Sequence, residues 1–250
     1  MSFSSTEIPY HGTVAEEHKK EVRRSKAKSG TTHFFVYATA YVILKGNRYS
    51  LAMVRVKYDD SMLEVIKKLM KLIKNKSIKI SRLLLDRGFY GVKVIRYLKN
   101  KRLAFIMPAI KRGKKTDENG GPTCTYKLAA LKKSGWHRYT LTSSTDGQVD
   151  FDVAVVCKNL KSRRHKKKGR EALIYVTFLI KHRPLDWVKQ TYRRRFGIES
   201  SYRQLHQARV KTATRNPALR LLFYCSHFTK GMGLASCPNH SKTKTRRKNI

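Results

Sequence analysis

Residues 78–91 read IKISRLLLDRGFYG. The apolar run that ends in Leu83, Leu84 and Leu85 has the length of a buried strand. Asp86 closes the run, and Gly88 and Gly91 mark a turn. Val92 to Leu98 then has the composition of a helix. Strand, acid, turn and helix form one unit of an α/β sheet. Asp86 therefore stands at a strand end, where turns and functional sites are both common. It reads as an Asx turn or helix cap, or as a carboxylate placed for chemistry.

The pattern continues on both sides. Upstream, Asp60 and Ser61 can cap a helix that carries Leu63, Ile66, Leu69, Met70 and Ile73 at helical spacing. Before it, Thr31 to Leu44 and Tyr49 to Val56 are rich in β-branched and aromatic residues. Lys45-Gly46-Asn47 separates them, which predicts a hairpin. Residues 1–12 read as extended, with Ile8-Pro9-Tyr10 stopping at Gly12, and 13–30 as a loop or a frayed helix. Downstream, Ala104 to Pro108 is another strand. The order strand, strand, helix, strand, helix, strand predicts an α/β fold with a mixed sheet. Residues 109–171 interrupt it with a loop holding Gly113, Gly120 and Gly121, a strand-like piece at Trp136 to Leu141, a strand at Phe151 to Val156 and a basic run from Lys161 to Arg170. Leu173 to Ile180 is a strand, and a long helix starts near Asp186. From Cys225 onward apolar periodicity fades into a basic tail, Lys242 to Lys248. This divides the chain into a folded unit, 1–223, with an insertion at 109–171, and a tail, 224–250.

Composition narrows the class. The chain has 250 residues, 40% of them hydrophobic, with 56 Lys and Arg against 16 Asp and Glu, a formal charge of +40. A field of that sign attracts a polyanion, and nucleic acid is the obvious one. A lysine-rich proteome would raise the charge without function, and Lys74, Lys76 and Lys79 read as plain surface lysines. It does not explain why carboxylates are so few. No run of 18 apolar residues exists and the first residues lack a signal peptide's basic and apolar regions, so the expectation is no membrane span and a cytoplasmic, nucleoid-associated protein. Cys124, Cys157, Cys225 and Cys237 have no framework spacing and read as reduced thiols. Cys225, His227, Cys237 and His240 are zinc-ligand types, but Cys-x-His is closer than the usual spacing. They read as unliganded residues of the tail.

A second stretch, residues 191–206, reads TYRRRFGIESSYRQLH. At 100° per residue, Tyr192, Arg195, Glu199, Arg203 and His206 share one helical stripe. Such a stripe can be a solvated face with i,i+4 ion pairs. A single Glu among arginines also suits a site where metal and phosphate share the charge. The pattern resembles the C-terminal signature of insertion-sequence DDE transposases, Tyr-x2-Arg-x3-Glu-x6-Lys. Tyr192, Arg195 and Glu199 match it, and His206 stands at the Lys position. Leu83 to Tyr90 resembles the family's segment around its second catalytic Asp, and the family also inserts a β-rich segment before the Glu. The resemblance covers most of residues 5–223.

The resemblance implies a ribonuclease H-like mixed sheet with flanking helices and DNA transposition by strand cleavage and strand transfer. It makes Asp86 and Glu199 the catalytic metal ligands for Mg²⁺ or Mn²⁺. One ion would activate the attacking oxygen and the other would stabilise the leaving one. It gives Tyr192, Arg195, Arg203 and His206 the DNA, and it implies transposon ends and target DNA as partners, held by a homodimer in a synaptic complex. The sequence departs from the family at the first catalytic Asp. In SSTEIPYHG, residues 4–12, the aligned position is Ser4, whose hydroxyl is uncharged. Glu7 is three residues on, so on a strand it faces the other way. A truncated or inactive copy is the reading that follows. The alternatives are a catalytically dead DNA-binding remnant and a basic RNA-binding protein.

Overall fold

The computed structural model describes residues 1–44, 47–76, 78–111, 125–160, 169–195 and 214–231, with side chains at 43–48, 159–170 and 226–231 outside that description. The glycine-rich loop, Cys124, most of the basic run from Lys161, and the tail from 232 lie outside the described residues. So do Glu199, Arg203 and His206.

Among the described residues nine strands form one sheet. β1 (Ser2–Pro9) lies inside it, antiparallel to β3 (Thr31–Leu44) and parallel to β5 (Leu83–Leu85). β4 (Asn47–Val56) pairs with the outer edge of β3, and β6 (Phe105–Pro108) runs parallel to β5. Helices α1 (Met62–Lys74) and α2 (Val92–Asn100) make the crossovers. The order β4-β3-β1-β5-β6, parallel and antiparallel strands with helices between them, is the mixed sheet with flanking helices expected from the sequence.

Local chemistry explains the elements. The Ser61 hydroxyl accepts the Glu64 N–H while the Glu64 carboxylate accepts the Ser61 N–H, so a full capping box starts α1. One face of α1 then buries Val65, Ile66, Leu69 and Ile73, each burial stabilising by roughly 1.5–3 kcal/mol. Strand alternation divides the core between two faces. Phe3, Leu83, Leu85 and Phe105 meet α1 and α2 on one face. Leu84, Ile106 and Tyr175 meet the helix at 185–195, α4, on the other, through Val188 and Tyr192.

Residues 125–178 are β-rich among those described, and their strands continue the same sheet. A short helix α3 (Thr125–Ala130) precedes β7 (Gly135–Ser143), β8 (Gly147–Leu160) and β9 (Gly169–Phe178). β9 pairs antiparallel with β8 on one side and with β6 on the other. β8 and β9 run longer than their apolar segments because the ladder carries polar positions such as Lys158 and Glu171, which pair across it at 3.1 Å.

Three local expectations differ from the structure. Residues 13–30 hold a 3-10 turn at Glu16–Glu21 and a strand, β2 (Arg23–Lys28), on the edge of β3. β2 is almost wholly polar, and ladder hydrogen bonds rather than burial define it; basic residues suit such an edge. Only Leu83–Leu85 of the 78–85 run is strand, with Ile78 and Ile80 packed at the core margin. Finally, helix α5 (Pro217–Gly231) continues past position 223. Its Tyr224 stacks on Tyr37 at 4.7 Å, and Arg220 lies over Tyr10 and Phe35 at 5.1 and 5.2 Å.

The buried tyrosines predict an alkaline transition. Burial is the leading cause that pushes the Tyr37 and Tyr175 phenols up to about 12 from 10.0. The unfolded chain releases these protons first, so above pH ~10 each upward step favours unfolding until the folded phenols ionise. Stability should hold below pH ~10 and fall between ~10 and ~12. Absorbance at 295 nm should show a tyrosine subset that ionises only with unfolding.

Candidate active site

The site begins with register. Across the parallel β1–β5 ladder, Ser2 lies opposite Leu84 and Phe3 opposite Leu85. One step on, Ser4 and Asp86 stand side by side at the end of that ladder. Both share the parity of Leu84, so both face α4. Glu7 lies on the opposite face of β1, where its carboxylate accepts Lys28 Nζ at 2.7 Å.

Helix α4 covers this strand end with two residues three positions apart, and therefore on one face. The Tyr192 hydroxyl donates to the Leu85 carbonyl at 3.2 Å, and the ring is buried against Tyr175 at 5.2 Å. Burial raises its phenol pKa, with the Asp86 charge adding and Arg195 opposing. Arg195 lies over that ring at 5.4 Å. Its Nη1 donates to Ser4 Oγ at 3.3 Å and its Nη2 lies 3.4 Å from Asp86 Oδ1. The same Oδ1 accepts the Arg87 N–H at 2.7 Å. Asp86 is thus the cap of the 3-10 turn Arg87–Phe89 and also the partner of a buried arginine.

The far end of α4 is anchored separately. Trp187 carries Arg82 at 4.7 Å and Arg183 at 5.3 Å from its ring. Asp186 in the first turn holds Gln190 and lies 3.8 Å from Lys189. This cluster gave no signal in the sequence, because Arg82 and Trp187 are distant along the chain.

The structure thus brings together Asp86, Tyr192, Arg195 and Ser4. Tyr192 and Arg195 are turned into the protein, while Arg193 and Arg194 between them are exposed. Glu199, Arg203 and His206 lie outside the described residues. Of the four Cys and His residues read as unliganded, Cys225 is half-buried in α5, and the side chains of His227, Cys237 and His240 lie outside the described residues. Among the described residues no three His, Cys, Asp or Glu side chains cluster as a metal site, and no helix is long and apolar enough to cross a membrane.

A family model described as the transposase DDE domain matches residues 4–223. The fold is similar to that in the cryo-EM structure of the piggyBac transposase synaptic complex with hairpin DNA, with a TM-score of 0.55 and 8% identity. That similarity covers 90% of this chain and 44% of the other, so the chain spans less than half the length of that transposase. No curated protein matches the sequence.

Proposed function

We propose, because the chain belongs to the transposase DDE-domain family, that it acts in DNA transposition on transposon ends and target DNA. In this reading residues 1–223 are the catalytic-fold unit, 109–171 its insertion and 224–250 a basic extension. A homodimer would hold the DNA in a synaptic complex at the nucleoid. The observation that carries the reading is the placement of Ser4 and Asp86 on adjacent strand ends beneath Tyr192 and Arg195. Ser4 from the start of the chain, Asp86 from its middle third, and Tyr192 and Arg195 from its last third meet where the family resemblance asks for a site. The charge of +40 supplies the attraction to DNA.

Divalent-metal chemistry is general in this family. The described residues do not fit a metal there. A divalent ion needs several oxygen ligands, carboxylates foremost. Asp86 is the single described carboxylate at this point, Ser4 is neutral, and Arg195 lies against both. Glu199 would be the second acid. The reading is therefore a chain that binds DNA through its basic surface and cleaves it poorly. Exposed Arg193 and Arg194 are better placed to meet phosphate than buried Tyr192 and Arg195.

Competition between duplex DNA and RNA of equal length, at one salt concentration, tests the DNA assignment. Duplex DNA should compete better than RNA. Equal or stronger competition by RNA would favour a basic RNA-binding protein instead.

A further inference from the structure

We infer that Arg195 is the cation of the Ser4–Asp86 site, so that this site holds no divalent metal when the chain binds DNA. The inference rests on the reading of the site given above and deepens it. The Arg195 side chain is 5% exposed and that of Asp86 29%. The guanidinium is held on three sides, by Ser4 Oγ, Asp86 Oδ1 and the Tyr192 ring. Tyr192 is itself fixed through Leu85. Asp86 Oδ1 already accepts the Arg87 N–H. An incoming metal would have to displace a positive charge from a mostly buried pair, and among the described residues it would find one carboxylate, Asp86, in return.

The pair also predicts what Ser4→Asp does. A second carboxylate would arise beside the first, with Arg195 between them. A guanidinium binds paired carboxylates well. The substitution would tighten the arginine contact rather than create a metal site. Opening the site takes a second change, Arg195→Met, which keeps bulk against Tyr192 and removes the charge.

Electron paramagnetic resonance of free Mn²⁺ tests this directly. Native chain and Asp86→Asn should leave the free signal equally intact up to about millimolar Mn²⁺, the weak range of oxygen-ligand sites. Ser4→Asp should behave like native, and Ser4→Asp with Arg195→Met should take up Mn²⁺. Stoichiometric uptake by the native chain that disappears in Asp86→Asn would overturn the inference, as would uptake by Ser4→Asp alone. If the double variant does not fold by circular dichroism, the native and Asp86→Asn pair still decides. A second arm measures duplex binding in EDTA and in Mg²⁺ at equal ionic strength. Affinities within about twofold are expected when the bound state holds no extra ion. A tenfold or larger gain in Mg²⁺, lost in Asp86→Asn, would overturn the inference. Absence of duplex binding in every buffer would instead defeat the DNA-binding reading, while the Mn²⁺ result stands by itself.

Discussion

Affinity for duplex DNA should fall by about 10³–10⁵ between 50 and 200 mM salt if six to ten phosphates are contacted. The cause is counterion release, because each lysine or arginine that neutralises a phosphate frees a condensed cation into solution. The sequence supplies 56 Lys and Arg against 16 Asp and Glu. Many of the acids are already committed within the fold. Glu21 pairs with Arg55, Asp60 with Lys68 and Asp146 with Lys93. The uncommitted charge is therefore mostly positive. Without a described base-reading element, dependence on sequence should be weak. Fluorescence anisotropy across a salt series measures the slope. A flat plot of log affinity against log salt would remove the electrostatic account.

Tyr192→Ala should destabilise the fold by about 3–5 kcal/mol, the range for removing a large buried aromatic side chain. The ring is 2% exposed and packs with Leu84, Ile106, Tyr175 and Val188. Its loss leaves a cavity between α4 and the sheet, leaves the Leu85 carbonyl without its phenol donor, and removes the surface on which Arg195 rests. Tyr192→Phe should cost less, about 1–2 kcal/mol, because only the hydroxyl partner is removed. Urea unfolding of the two variants beside the native chain separates these contributions. Equal stability of Tyr192→Ala and the native chain would mean that α4 does not rest on Tyr192 as described.

Legibility in the sequence followed how local each signal was. Leu83 to Asp86, the Ser61 cap and the hairpin of Thr31 to Val56 carry their structure in neighbouring residues, and each forms where it was read. β2 was not legible, because Arg23–Lys28 becomes a strand only through the free edge of β3. The helical run beyond Phe223 was hidden for a similar reason. Its anchor is Tyr224 against Tyr37, a contact across most of the chain. Ser4 could be placed beside Asp86 through the family resemblance, and the β1–β5 register puts them there. The inward turn of Arg195 had no sequence signal. Arginine is seldom fully buried, and an arginine-rich helix gives no sign of which side chain points inward.

A cleavage assay on DNA carrying the element's ends, with Mg²⁺ or Mn²⁺, tests most directly the claim that this chain holds the transposase fold and a DNA-binding surface with an incomplete catalytic centre. The native chain should bind the DNA and cut it no faster than its Asp86→Asn and Glu199→Gln variants. Robust cutting by the native chain that either substitution abolishes would contradict the account, and would show that a residue other than Ser4 completes a working site.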